Sequence, residues 1–278
     1  MPSRLFTESP LPPHEARAMA QRLSGLPERE AEALLQRHIL PPSLRWSFCR
    51  NGKTGTTSVL SWLFEVEFGA RLTAPLSREA MLNENSVAHH TVQADIFRPA
   101  LQLRSGLAHL QTACRIVTVR HPATRALSSF RYLCKSGATG SEQFLPVRLR
   151  INAETGFDWD RDPGTERGLA KFLDYVEILH ETADQTPAAI HWRAQVRNLR
   201  PDILPPSVIG RVEDLDRLAR DVAERLNLSE IPPMGHQNTQ GRAQDDLLAS
   251  RELRNRIAEV YGEDYARFGY DPHDLGAP

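Results

Sequence analysis

The chain has 278 residues, 40% hydrophobic and 25% charged, with a formal net charge of −1. That is enough chain for a large buried core, and too neutral a balance to argue for nucleic acid or a membrane surface as partner. No apolar run approaches the ~18–20 residues of a membrane span. The opening Met1-Pro2-Ser3-Arg4-Leu5 lacks a signal-peptide core, and three cysteines without a CxxC fit a reducing compartment, so a soluble, cytoplasmic protein is expected.

In chain order, residues 1–44 read as an accessory helical segment. One helix follows Pro12-Pro13 through Ala16, Met19, Ala20 and Leu23 and stops at Gly25. A second runs from Pro27 to His38, with Ala31, Leu34 and Leu35 on one face, and ends at Pro41-Pro42. Residues 45–278 then form the main domain. Trp46-Ser47-Phe48-Cys49 is a strand, residues 50–56 are a loop, and a helix opens at Thr57-Ser58. A helix is expected over Arg98–Leu110. Arg115-Ile116-Val117-Thr118-Val119 suits a buried parallel strand, and a helix follows from about Ala123 to Cys134. Residues 136–165 read as a long loop or insertion, and helical periodicity returns at Leu169, Phe172, Leu173 and Val176. Ser207–Gly210 is a third strand, leading into a helix to about Leu226. After the Pro232-Pro233 and Gly235 loop, the last helix spans about Asp245 to Tyr261. Strands alternating with helices predict an α/β fold with a central parallel sheet and helices on both faces, of the P-loop three-layer type.

The loop at 50–58 carries the clearest chemistry. Gly52 and Gly55 let backbone N–H groups approach an anion, and the following helix points its positive N-terminus at it. Thr54, Thr56, Thr57 and Ser58 add hydroxyls. Lys53 adds a point charge, and only Lys135 and Lys171 accompany it among the basic residues that are not arginine. Gly52-Lys53-Thr54 fits the end of a Walker A loop, but Ser47 stands where the first glycine belongs. The strand at 115–119 ends in Arg120, where a Walker B strand carries a carboxylate for Mg²⁺; an arginine suits a phosphate, not a metal.

Lys53-Thr54-Gly55-Thr56-Thr57-Ser58 resembles the 5′-phosphosulfate loop of PAPS-dependent sulfotransferases, the carbohydrate-acting ones especially (sulfotransferase family 2-like). Arg120-His121-Pro122-Ala123-Thr124-Arg125-Ala126-Leu127-Ser128 resembles the family's 3′-phosphate motif, in which an Arg at the strand end and a Ser eight residues later hold the 3′-phosphate. His121 stands where members more often have Asp or Asn. Five further stretches are similar to the family: Phe172–Val176 with His191–Gln195, Val212–Leu215, and Asn238-Thr239 with Asp264–Tyr270. The likeness covers roughly residues 45–270.

The resemblance implies sulfuryl transfer from PAPS, with PAP as product and no metal, to a hydroxyl or amine of a small-molecule or glycan acceptor. Lys53 to Ser58 would bind the phosphosulfate, Arg120 and Ser128 the 3′-phosphate. Lys53 would also be catalytic. A histidine near neutrality suits the general base. In hexuronic-acid-type members a base histidine lies between the two phosphate motifs, which favours His90 here over His89; Glu84 and His191 are the other candidates. Three alternatives stay open: a P-loop kinase or NTPase with a degraded Walker A, a non-catalytic nucleotide-binding relative, and a scaffold whose N-terminal helices mediate assembly.

Overall fold

Prolines, caps and left-handed residues set most element boundaries. The structure, a computed structural model, describes residues 5–23, 25–76, 87–182, 186–235 and 246–274. The strands are β1 (His38–Leu40), β2 (Trp46–Cys49), β3 (Arg98–Pro99), β4 (Cys114–Val119) and β5 (Val208–Arg211). The helices are α1 (Pro13–Ala20), α2 (Glu28–Arg37), α3 (Thr56–Phe68), α4 (Gly106–Thr112), α5 (Pro122–Ala138), α6 (Leu145–Thr155), α7 (Glu166–Glu181), α8 (Leu215–Leu226), α9 (Arg251–Val260) and α10 (Gly262–Phe268). Thr165, Asp214 and Ser250 cap α7, α8 and α9 with their side-chain oxygens. Gly69, Gly156 and Gly269 end α3, α6 and α10 in the left-handed conformation.

The sheet order is β3-β1-β2-β4-β5. β2 is parallel to β4, but β1 is antiparallel to both β2 and β3. The sheet is therefore mixed rather than wholly parallel: β3, β2 and β4 share one direction and β1 opposes them. Three residues between Arg37 and Pro41 are too few to show strand periodicity, so β1 is hidden behind a helical pattern.

Two other expectations are corrected. Residues 98–110 are not one helix. Pro99 disfavours helical backbone at Arg98, and the chain forms β3, a 3₁₀ turn at Ala100–Gln102 and α4. Leu103 is extended between the last two, and a Cβ on Gly106 would lie 2.1 Å from the Ala100 carbonyl oxygen. Residues 136–165 are not a long loop, because α5 continues to Ala138 and α6 occupies Leu145–Thr155. Four glycines and several polar residues obscured a short apolar stripe there, in which Val147 and Ile151 are buried.

The chain divides into two compact units. The first holds residues 1–51, 55–118 and 199–237. In it, Val59, Leu60 and Leu63 of α3 and the stripe Leu215, Leu218, Ala219, Val222 and Leu226 of α8 bury against Ile39, Trp46, Phe48, Ile116 and Val208. Leu40, the residue after Ile39, joins a separate core with α1, α2 and α4. Successive strand residues point to opposite faces, so β1 is covered on both. The N-terminal helices thus pack on a sheet to which their own segment contributes a strand.

The second unit holds residues 52–54, 119–198 and 238–278. Its core gathers Ala126, Leu127 and Phe130 of α5, Leu169, Phe172 and Val176 of α7, Trp192, and Ile257 and Tyr261 near the end of the chain.

Candidate active site

The phosphate loop leaves β2 at Arg50. In the first unit, Asn51 is fully buried and its amide donates to the Thr118 carbonyl at 3.1 Å, fixing the loop's start to the end of β4. The Thr56 hydroxyl donates to the Asn51 carbonyl at 2.7 Å. Gly55 caps α3 in the left-handed conformation, at φ 72°, with Val212 against it. The first turn of α3 contains no acidic residue, so its N-terminus carries no carboxylate of its own to compete with a bound anion. Ser58 is buried, while Thr56 and Thr57 are half-buried.

Gly52–Thr54 belong to the second unit. A Cβ at Gly52 would meet the Ile190 carbonyl oxygen at 2.6 Å and the His191 Cα at 2.7 Å, so only glycine fits there. Lys53 has φ 65°, a left-handed conformation uncommon outside glycine. Its ammonium lies 4.0 Å from the centroid of the Tyr132 ring, a cation–π contact. Tyr132 sits on α5, one turn beyond the half-buried Ser128. Lys53 and Thr54 thus share one compact unit with the Arg120–Ser128 motif.

Arg125 is the residue that joins them, and the sequence reading assigned it no role. It is 1% exposed. Its Nε donates to the Gly52 carbonyl at 2.9 Å, Nη1 to Arg193 O at 2.9 Å and Nη2 to Ile190 O at 3.1 Å. One rigid guanidinium fork therefore holds the loop and the segment after residue 189 to α5. The same segment is fastened by the Ser129 hydroxyl to His191 O at 2.6 Å, and by the Tyr261 hydroxyl to Trp192 O at 2.6 Å.

Arg120 follows β4. Its backbone is clamped by Gln195, which accepts from Arg120 N through Oε1 and donates through Nε2 to Arg120 O, both at 2.9 Å. Gln195 is in turn held by the buried Asp264, whose carboxylate accepts from Gln195 N and Val196 N at 2.8 Å each. The Arg120 Nε donates to Thr124 Oγ1 at 3.1 Å, steering the side chain along the first turn of α5. His121 replaces the commoner Asp or Asn without loss of the cap: its Nδ1 accepts from Ala123 N at 3.2 Å, and its Nε2 bonds the Asp271 carbonyl at 3.1 Å.

The histidine pair lies in the first unit, on the helical turn Val87–His90. His89 is exposed and its Nε2 is 3.3 Å from the Thr57 hydroxyl, which places it beside the phosphate loop. His90 Nδ1 is 2.8 Å from Gln93 Oε1. A carbonyl oxygen only accepts, so the neutral imidazole keeps its lone pair on Nε2. That Nε2 is buried, with no hydrogen-bond partner among the described residues. His191 lies in the second unit, its ring 5.2 Å from that of Tyr132. Glu84 and Asn238-Thr239 lie outside the described residues.

Beyond the sequence-predicted set, Asn51 anchors the loop in the first unit, and Arg125, Tyr132, Gln195 and Asp264 hold or contact Gly52, Lys53 and Arg120 in the second. A charged residue among Ala123, Ala126 and Leu127, which all turn inward, is the one signal that could have pointed to Arg125. Gln195 and Asp264 fall in stretches that carried the resemblance, but their pairing spans 69 positions.

The Sulfotransferase family matches residues 46–271, most of the chain, and the protein belongs to that family. No curated protein and no solved structure matches it.

Proposed function

We propose that this member of the sulfotransferase family moves a sulfuryl group from PAPS to a hydroxyl, or an amine, of a carbohydrate or glycolipid acceptor. The observation that carries the reading is the Arg125–Gly52 bond: it ties the loop bearing Lys53 to the helix bearing Ser128, just past Arg120. A donor with phosphate at both its 5′ and 3′ positions needs two anion sites at a fixed separation, and this bond supplies one constraint on it.

PAPS, when bound, supplies an activated sulfuryl group on its 5′-phosphate. Lys53, Thr54, Gly55, Thr56, Thr57 and Ser58 hold that phosphosulfate through hydroxyls, backbone N–H groups and the α3 N-terminus. Arg120 and Ser128 hold the 3′-phosphate, the arginine with a planar fork. His90 takes the acceptor proton at Nε2 as the new S–O bond forms. Lys53 balances charge growing on the phosphate oxygen as the old S–O bond breaks and PAP leaves. Positioning and charge stabilisation dominate such a transfer. Lys53 and Arg120 take the electrostatic role that a divalent cation has in other nucleotide sites, so the reaction proceeds without metal. On this reading residues 45–278 form the sulfotransferase domain, of the P-loop three-layer type, residues 1–44 are accessory, and the enzyme works in the cytoplasm.

Calorimetric titration of PAP, and separately of ATP with Mg²⁺, tests the donor. Metal-independent PAP binding is expected, and Lys53→Ala should retain part of it while turnover with PAPS falls ~10²–10³-fold. Binding of ATP with Mg²⁺ and not PAP would replace this reading by a kinase or NTPase one, and unchanged turnover in Lys53→Ala would remove the role given to the lysine.

A further inference from the structure

Nine buried side-chain nitrogen or oxygen atoms lack a hydrogen-bond partner among the described residues, and six of them belong to four residues: Arg37, His38, Ser47 and Arg50. These residues are neighbours. The Arg50 N–H donates to the Arg37 carbonyl at 3.0 Å, and His38 pairs with Cys49 across β1 and β2. Ser47 shares the Cys49 face of β2 by strand alternation. His38, Ser47 and Arg37 are 1%, 0% and 8% exposed. A buried polar atom without a partner is destabilising, so six in one place call for a partner.

The chemistry of the cluster has a sign. The unpartnered atoms are Arg37 Nε and Nη2, Arg50 Nε, both His38 nitrogens and Ser47 Oγ. Both guanidinium groups supply donors only, the hydroxyl has one proton, and a neutral imidazole has one more. Burial pushes His38 down to about 3, assisted by Arg37 and Arg115, so it carries no charge near neutrality. Burial also pushes the Cys49 thiol up to about 11, although Arg37 and Arg50 oppose the shift, so the cysteine offers a thiol and not an anion. The carboxylate facing Arg37 is Glu30, and it is already paired with Arg200, which also binds Asp202. Arg115, beside His38, donates from Nε and Nη1 to the carbonyls of Pro205, Leu110 and Gln111. Arg50 Nη2 donates to Gln36 O at 2.9 Å. Donors outnumber acceptors and positive charges outnumber negative ones.

We propose that the Arg37–His38–Ser47–Arg50 cluster holds a buried monoatomic anion, chloride under cellular conditions, as a structural ion behind the phosphate loop. Arg37, His38 and Ser47 are all buried, which favours a single small sphere over a nucleotide. Arg37 and Arg50 contribute charge and N–H donors, Ser47 and His38 one donor each. The ion neutralises the end of β2 from which residues 51–58 depart, so it stabilises the base of the loop without touching the donor.

Bromide is the probe. Anomalous scattering from crystals of the full chain soaked in sodium bromide should show a peak within hydrogen-bonding distance of Arg37 and Arg50 Nε. In solution, the apparent Tm should rise on the order of 3 °C in sodium chloride or bromide over sodium gluconate at equal ionic strength. Arg50→Gln should lose that halide-specific rise. Ordered water alone at the cluster, a bromide peak only elsewhere, or a Tm that follows ionic strength and ignores halide would each overturn the proposal. The wild-type measurements decide it even where Arg50→Gln does not fold.

Discussion

The two ends of the candidate chemistry are built by different means. Gly52 and Arg120 are held by buried groups with a partner on every polar side-chain atom: the Arg125 fork on three carbonyls, and Gln195 on both backbone groups of Arg120 with Asp264 behind it. The Val87–His90 turn is held by side-chain contacts at a surface, His89 to Thr57 and His90 to Gln93, with Ala88 alone buried. Fully satisfied buried networks specify one geometry. Half-exposed contacts on one short turn leave room for adjustment.

If that division is right, the histidine turn governs turnover and the buried network governs donor binding and stability. The largest expected effect is on turnover: His90→Ala should lower kcat ~10²–10⁴-fold with PAP affinity unchanged, and His89→Ala should do much less. Equal losses in both variants, or a loss in the His191 variant instead, would move the base. Next in size, Arg125→Met leaves the carbonyls of Gly52 and Arg193 without that donor in a buried site. It should cost about 3–5 kcal/mol by chemical denaturation and weaken PAP binding as well. A destabilised protein with native PAP affinity would separate the fork from the donor site. Arg120→Ala should weaken PAP about 100-fold with little change in stability, through loss of charge-assisted bonds to the 3′-phosphate. If PAP affinity stays within a few-fold, the 3′-phosphate is held elsewhere.

The smallest effect concerns acid stability. Burial pushes His180 down to about 4, with Arg197 adding to the shift, and its Nε2 accepts from Ala194 N at 3.0 Å in the segment that Arg125 also holds. The folded pKa lies below the unfolded value near 6.5, so the unfolded chain binds the extra proton. The contribution is complete above pH 6.5 and is lost as pH falls from there to about 4. Stability should drop about 2 kcal/mol by pH 5 from this residue. His180→Gln, measured by urea unfolding across that range, should flatten the slope; an unchanged slope would assign the acid loss to other groups, His38 first among them.

What the amino-acid order settled by itself was local. The strand at Trp46–Cys49, the loop with Lys53, the strand end at Arg120 and the helix it feeds were all legible, because alternation, glycine and proline act within a few residues. The resemblance of those stretches named the family. What tertiary structure decided was pairing at long range: β1 inserted antiparallel into the sheet, Arg125 reaching Gly52 across 73 positions, and Asp264 closing on Gln195 across 69. A buried charge breaks the apolar pattern of its own helix without saying which carbonyls will receive it. Only the fold, by bringing those acceptors within about 3 Å of the guanidinium, turns an apparent exception in α5 into the residue that ties the phosphate loop to its helix.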